Sequence, residues 1–115
     1  MPFVAELMKI AAADTDVLRS LDENGDEFTT FREVDFLLLA PSREKADLIA
    51  AFINDHSYGV ASSEAEGTFR VQVMVQMPVT QAVILNVSGF MACVSHLFGG
   101  SYDGWGCVTQ RRGQL

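Results

Sequence analysis

The sequence predicts an α+β fold, a ferredoxin-like βαββαβ antiparallel sheet with its helices on one face, preceded by an N-terminal helix. Three observations support this. Apolar spacing alternates between helical and strand periods in the order helix, strand, helix, strand, strand, helix, strand, which after the first helix is the split βαβ pattern. The two most apolar strands are the first and third, the ones such a sheet places in its middle. The chain has 115 residues, 49% hydrophobic and 20% charged, enough for one domain that buries about two-thirds of its unfolded surface.

The first helix is read from Phe3, Leu7, Ile10, Val17, Leu18 and Leu21, with Asp14 interrupting the stripe. One helix fits, and so do two shorter ones with Asp14 capping the second. Asn24-Gly25 supplies the stop, because glycine takes the left-handed conformation that closes helices. In Glu33–Ala40, Val34, Phe36 and Leu38 line one face of a strand while Leu37 and Leu39 keep the other partly apolar. Pro41 breaks that strand and Ser42 caps a second helix. There Glu44 meets the positive end of the dipole, and Ala46, Ile49, Phe52 and Ile53 form the buried stripe. A short strand over Val60–Glu64 turns at Glu66-Gly67 into the clearest strand of the chain. In it Phe69, Val71, Val73, Val75 and Met77 alternate with Thr68, Arg70, Gln72, Met74 and Gln76. Pro78 ends it, Thr80 caps a third helix over Gln81–Phe98, and a last strand runs from Tyr102 to Gln110.

The third helix has an apolar face of Val83, Ile84, Val87, Phe90, Met91, Val94 and Phe98. Its opposite face is small and uncharged, with Leu85, Gly89, Ala92, Cys93 and His96, unlike the ion-rich face of a solvated helix. A second surface must cover it, either the N-terminal helix or a second copy of the chain. Small residues allow close helix contact, which favours the second copy and makes these five residues candidates for a homodimer interface.

Charge and cysteine usage exclude several functions. The net charge of −7, with scattered basic residues, argues against direct nucleic-acid binding, which needs clustered Lys and Arg. The uncharged stretch between Arg70 and Asp103 is too polar for a membrane span. Cys93 and Cys107 lack metal or redox spacing and read as small buried hydrophobes. Met1–Glu6 has neither the basic segment nor the apolar core of a signal peptide, which implies the cytoplasm.

One acidic segment imitates a metal site. Asp22, Asn24, Asp26, the Phe28 carbonyl, Thr30 and Glu33 fall at the ligand positions of a calcium-binding EF-hand loop. Glu27 stands where that loop needs glycine, and a strand follows where it needs a helix. The reading preferred is an acidic, glycine-stopped helix end, with no metal or cofactor. No catalytic constellation is present, so an enzyme is not expected.

The most particular segment is Tyr102-Asp103-Gly104-Trp105-Gly106, which holds the single tryptophan between two glycines. Trp and Tyr dominate binding hot spots, so Tyr102, Asp103 and Trp105 are partner-binding candidates; a structural corner is the alternative. This block, entered behind a helix ending Asn-Gly-Asp and the element order above, resembles the family called regulator of ribonuclease E activity B. The resemblance covers roughly Asp14 to Gln110. It implies residues 1–13 as a helical extension, 14–110 as a ferredoxin-like regulator domain and 111–115 as a short tail. It further implies a bacterial, non-enzymatic protein that binds ribonuclease E, lowers its activity and so modulates RNA decay. The family's founding members carry a long acidic C-terminal tail, whereas this chain ends Thr109–Leu115. Attraction for a basic partner then rests on the acidic body.

Overall fold

The computed structural model describes residues 2–111. They run α1 (Pro2–Glu23), β1 (Arg32–Ala40), α2 (Arg43–Asp55), β2 (Val60–Glu66), β3 (Thr68–Met77), α3 (Gln81–Leu97) and β4 (Ser101–Cys107). The four strands form one antiparallel sheet in the order β2-β3-β1-β4, so the two most apolar strands are central, as the sequence pattern requires. Val34, Phe36 and Leu38 of β1 pair with Val75, Val73 and Val71 of β3, and on the helix-covered side all except the half-buried Val75 are fully buried.

The helices seal that side. Ser42 caps α2 by accepting from the Lys45 N–H at 3.2 Å, and Ala46, Ile49, Ala50 and Ile53 turn inward. Thr80 has the extended backbone of an N-cap, but its side chain makes no cap bond, contrary to the capping role expected for it. The buried face of α3 is also rotated from the expected stripe. Ile84, Met91 and Val94 are buried, and so are Ser88, Ala92 and Ser95, while Val83 is 36% exposed. The reason is that α3 has neighbours on two sides, the sheet and α1.

α1 is a single unbroken helix, so Asp14 does not cap a second helix. It lies on the buried stripe with Leu18 and Leu21. The helix ends where Asn24-Gly25 predicts, closed by the Gly25 N–H to the Asp22 carbonyl at 2.9 Å and the Asp26 N–H to the Leu21 carbonyl at 3.0 Å. The last strand stops at Cys107 rather than Gln110. Beyond it the chain turns to pair with the loop after α1, through the Glu27 N–H and Gln110 carbonyl at 2.6 Å. Of the expected tail, Arg111 bridges to Asp26, and residues 112–115 lie outside the described residues.

A buried ion pair locks this corner. Arg32 opens β1 and is 5% exposed. Its Nη1 and Nη2 grip the two oxygens of Asp26 at 2.5 and 3.0 Å. The remaining donors reach the carbonyls of Glu27 at 2.7 Å, Thr30 at 3.2 Å and Val108 at 3.3 Å, and Asp26 also accepts from the Gln110 N–H at 3.0 Å. Burial alone would lower the Arg32 pKa, but the hydrogen bonds and charge of Asp26 outweigh it and raise the value. One guanidinium thus fastens the end of α1, the start of β1 and the exit of β4. Breaking a buried pair from one side strands a charge. Asp26→Ala is therefore expected to cost about 3–5 kcal/mol in urea unfolding, a loss that Asp22→Ala, at an exposed position, does not reproduce.

Candidate functional site

Strand β4 carries the site, and one extra residue shapes it. Phe36 lies opposite Trp105 and Leu38 opposite Tyr102, so Leu37 alone faces both Asp103 and Gly104. This is a β-bulge, and Gly104 sustains it at a φ of +98°. In regular alternation Tyr102 and Trp105, three apart, would point to opposite faces. The bulge brings both to the helix side, beside Leu38 and Phe36, and leaves Asp103 exposed, its carboxylate accepting no hydrogen bond among the described residues.

The two inward rings meet a buried polar cluster. The Trp105 Nε1–H donates to Asp14 Oδ1 at 2.8 Å, joining β4 to α1. Ser88 Oγ donates to the Tyr102 hydroxyl at 2.8 Å, joining β4 to α3. Asp14 is only 4% exposed, and its Oδ2 has no hydrogen-bond partner. Burial raises the Asp14 pKa, opposed by the nearby Ser88 hydroxyl and by the Trp105 indole donor. Burial likewise pushes the Tyr102 phenol up, with Ser88 opposing and the Asp14 charge adding to the shift, and burial raises Cys107 against the pull of Arg32. Tyr102 and Cys107 are thus held in their protonated forms at neutral pH, which suits packing and hydrogen bonding rather than nucleophilic attack.

Two clefts flank β4 and share Asp103 and Gly104. On the open face of the sheet a cleft of about 390 Å³ has Leu37 and Gln72 in its floor and Asp35, Glu64, Arg70 and Asp103 around it. On the helix side a cleft of about 280 Å³ lies between β4 and α1, bounded by Glu6, Lys9, Ile10, Asp14 and Asp103. Asp35 Oδ1, like Asp14 Oδ2, is buried without a partner. Five carboxylates against two cations make both clefts acidic. The three candidates in the tryptophan block therefore divide. Asp103 lines both clefts, whereas Trp105 lines only the open-face cleft and Tyr102 only the α1 cleft, their polar atoms turned to Asp14 and Ser88. The sequence signal for the open-face cleft was the wetter side of β3; Asp14 showed only as an interruption of an apolar stripe, and Asp35 carried no signal that set it apart from other acids.

Part of the small-residue face of α3 lies against α1 of the same chain. Phe3 stacks on His96 with ring centroids 4.1 Å apart, Ala92 is buried, and Leu85, Gly89 and Cys93 are half-buried. Of the two coverings considered for that face, α1 of the same chain supplies a partial one, and a Cβ at Gly89 would meet no atom within 4 Å.

The EF-hand resemblance of residues 22–33 does not survive folding. Asp26 gives both carboxylate oxygens to Arg32, the Phe28 carbonyl accepts from the Val79 N–H at 2.9 Å, and Glu33 stands exposed on a strand. A guanidinium holds the carboxylate that calcium would need. Among the described residues, no three His, Cys, Asp or Glu side chains converge as metal ligands.

Fold and site together define a ferredoxin-like α+β domain that presents acidic clefts on both sides of an edge strand. The chain belongs to the regulator of ribonuclease activity B family, whose model matches residues 11–107 and so takes in the whole sheet. Membership makes it a regulator of ribonuclease activity. No curated protein matches the chain. No helix among the described residues is long and apolar enough to cross a membrane.

Because Asp14 has a raised pKa, the folded protein holds this proton more tightly than the unfolded chain. Its ionised carboxylate therefore costs stability above the folded pKa, and the cost fades as pH falls through that value towards the ordinary 3.8. Asp14→Asn can still accept from Trp105. It is expected to melt above the wild type at neutral pH, with the gap closing towards acid. Trp105→Phe removes the donor and is expected to cost about 1–3 kcal/mol, less in the Asp14→Asn background. Millimolar calcium is expected to leave the melting temperature unchanged, since a ligand bound only by the folded state would raise it.

Proposed function

We propose that this protein regulates RNA decay in the cytoplasm by binding a ribonuclease, with ribonuclease E as its partner, and that it inhibits without catalysis of its own. Membership of a family of ribonuclease regulators carries this reading. The net charge of −7 supports contact with protein rather than with RNA, because phosphates would be repelled. The acidic clefts beside β4 support a basic partner surface, met by Asp103 and held in shape by Tyr102 and Trp105. Electrostatic attraction of this kind speeds encounter and weakens with salt.

Calorimetry against the non-catalytic region of ribonuclease E is expected to show binding that weakens as salt rises. Addition of the protein is expected to slow cleavage by the intact nuclease. Absence of binding at low salt would remove ribonuclease E as the partner, and binding of the protein to RNA alone would remove the protein-contact mechanism.

A further inference from the structure

The two edges of the sheet are treated differently. Along β2 the edge is capped at one residue, where the Asn54 side chain donates to the Ala61 carbonyl at 2.9 Å and accepts from the Ala61 N–H at 2.8 Å, and the neighbouring Ser63 hydroxyl donates to Asp47 at 2.7 Å. Natural sheets cover edges in this way because unpaired backbone groups recruit other strands. The outer edge of β4 pairs with no strand among the described residues. It also lies where the two acidic clefts meet, at Asp103 and Gly104.

We propose that this edge is a docking site for an extended, arginine-bearing segment of a partner protein, which adds to β4 as a fifth strand and places adjacent arginines into the two clefts. The inference rests on the protein-contact reading above and specifies its surface and its chemistry. Successive side chains of a strand point to opposite faces, so neighbouring residues of the added segment reach the open-face cleft and the α1 cleft respectively. On the open face the route is clear. Gly106 lies opposite Asp35 in the ladder, and without a side chain it lets a long guanidinium cross β4 to that carboxylate. On the other face the Asp14 carboxylate, 4% exposed and with Oδ2 unpartnered, borders the cleft. Two buried acceptor atoms left open, one beside each cleft, are what planar, multiply donating guanidinium groups satisfy best. Lysine would bring charge without the fork. The same unpaired carboxylates cost the free protein stability, which a purely structural role does not require.

The test uses a labelled synthetic peptide of strand-forming residues with two adjacent arginines, followed by fluorescence anisotropy on the full chain. A control peptide of the same composition separates the arginines by one residue, which puts both on one face. The adjacent pair is expected to bind about tenfold tighter, the scale of one charge-assisted contact. Asp35→Asn is expected to weaken binding by a similar factor. Gly106→Val closes the crossing; a Cβ there meets no atom within 4 Å, so the variant should fold and melt no lower than the wild type. Asp55→Asn, which removes the same charge from exposed α2, is expected to change little.

Equal affinity for the two peptides, or losses no larger in Asp35→Asn and Gly106→Val than in Asp55→Asn, would reduce the effect to general attraction and overturn the edge assignment. The same variants assayed against the non-catalytic region of ribonuclease E separate the two claims. If they lose the peptide but keep that region, the docking edge falls and the proposed function stands. If the wild type binds neither, both fall.

Discussion

One extra residue in β4, accommodated by Gly104 at a φ of +98°, decides which side of the sheet Tyr102, Asp103 and Trp105 occupy. A side chain at position 104 would be strained in that conformation, and without the bulge Tyr102 and Trp105 could not both face the helices. The two contacts that fasten the helix layer to this edge, Trp105 to Asp14 and Tyr102 to Ser88, follow from it. So does the exposure of Asp103 at the junction of two clefts. A backbone irregularity of one residue thus connects the packing of α1 to the two acidic clefts beside β4.

Two buried acids show opposite solutions to the same problem. Asp26 is fully matched by Arg32 and by the Gln110 N–H, and its role is to close the corner where three segments meet. Asp14 has one indole donor for one oxygen and nothing for the other. Removing a charge from water is tolerable when every lone pair finds a donor, as at Asp26, and costly when one does not. The first arrangement is what stability alone would select. The second stands beside the α1 cleft, where the donors of the proposed partner segment would complete it.

Much of the fold was legible because it depends on patterns that sequence carries directly. Strict alternation in residues 68–77 and the apolar run in 34–39 identify the central strands, and Ser42 and Asn24-Gly25 mark helix ends by local chemistry. The site was less legible because its causes are non-local. A bulge violates the two-residue period by which strand faces are assigned, so Tyr102 and Trp105 cannot be placed on one face from spacing. Asp14 sits on an apolar stripe for the sake of a tryptophan 91 residues away, and a count of apolar positions registers it only as an interruption. Residues 22–33 match a calcium loop in spacing, yet Arg32, invisible to that motif, claims the central carboxylate. The uncharged face of α3 reads in sequence as one that needs a cover, but how much of it α1 supplies depends on where α1 docks.

Hydrogen exchange of the full chain with and without the non-catalytic region of ribonuclease E tests the central claim most directly, because an added strand must protect the amides of the edge it joins. Slowed exchange across Ser101–Cys107 is expected on binding, with the β2 edge unchanged. Tight binding that leaves β4 exchanging as in the free protein, with protection confined to α2 or β2, would contradict it.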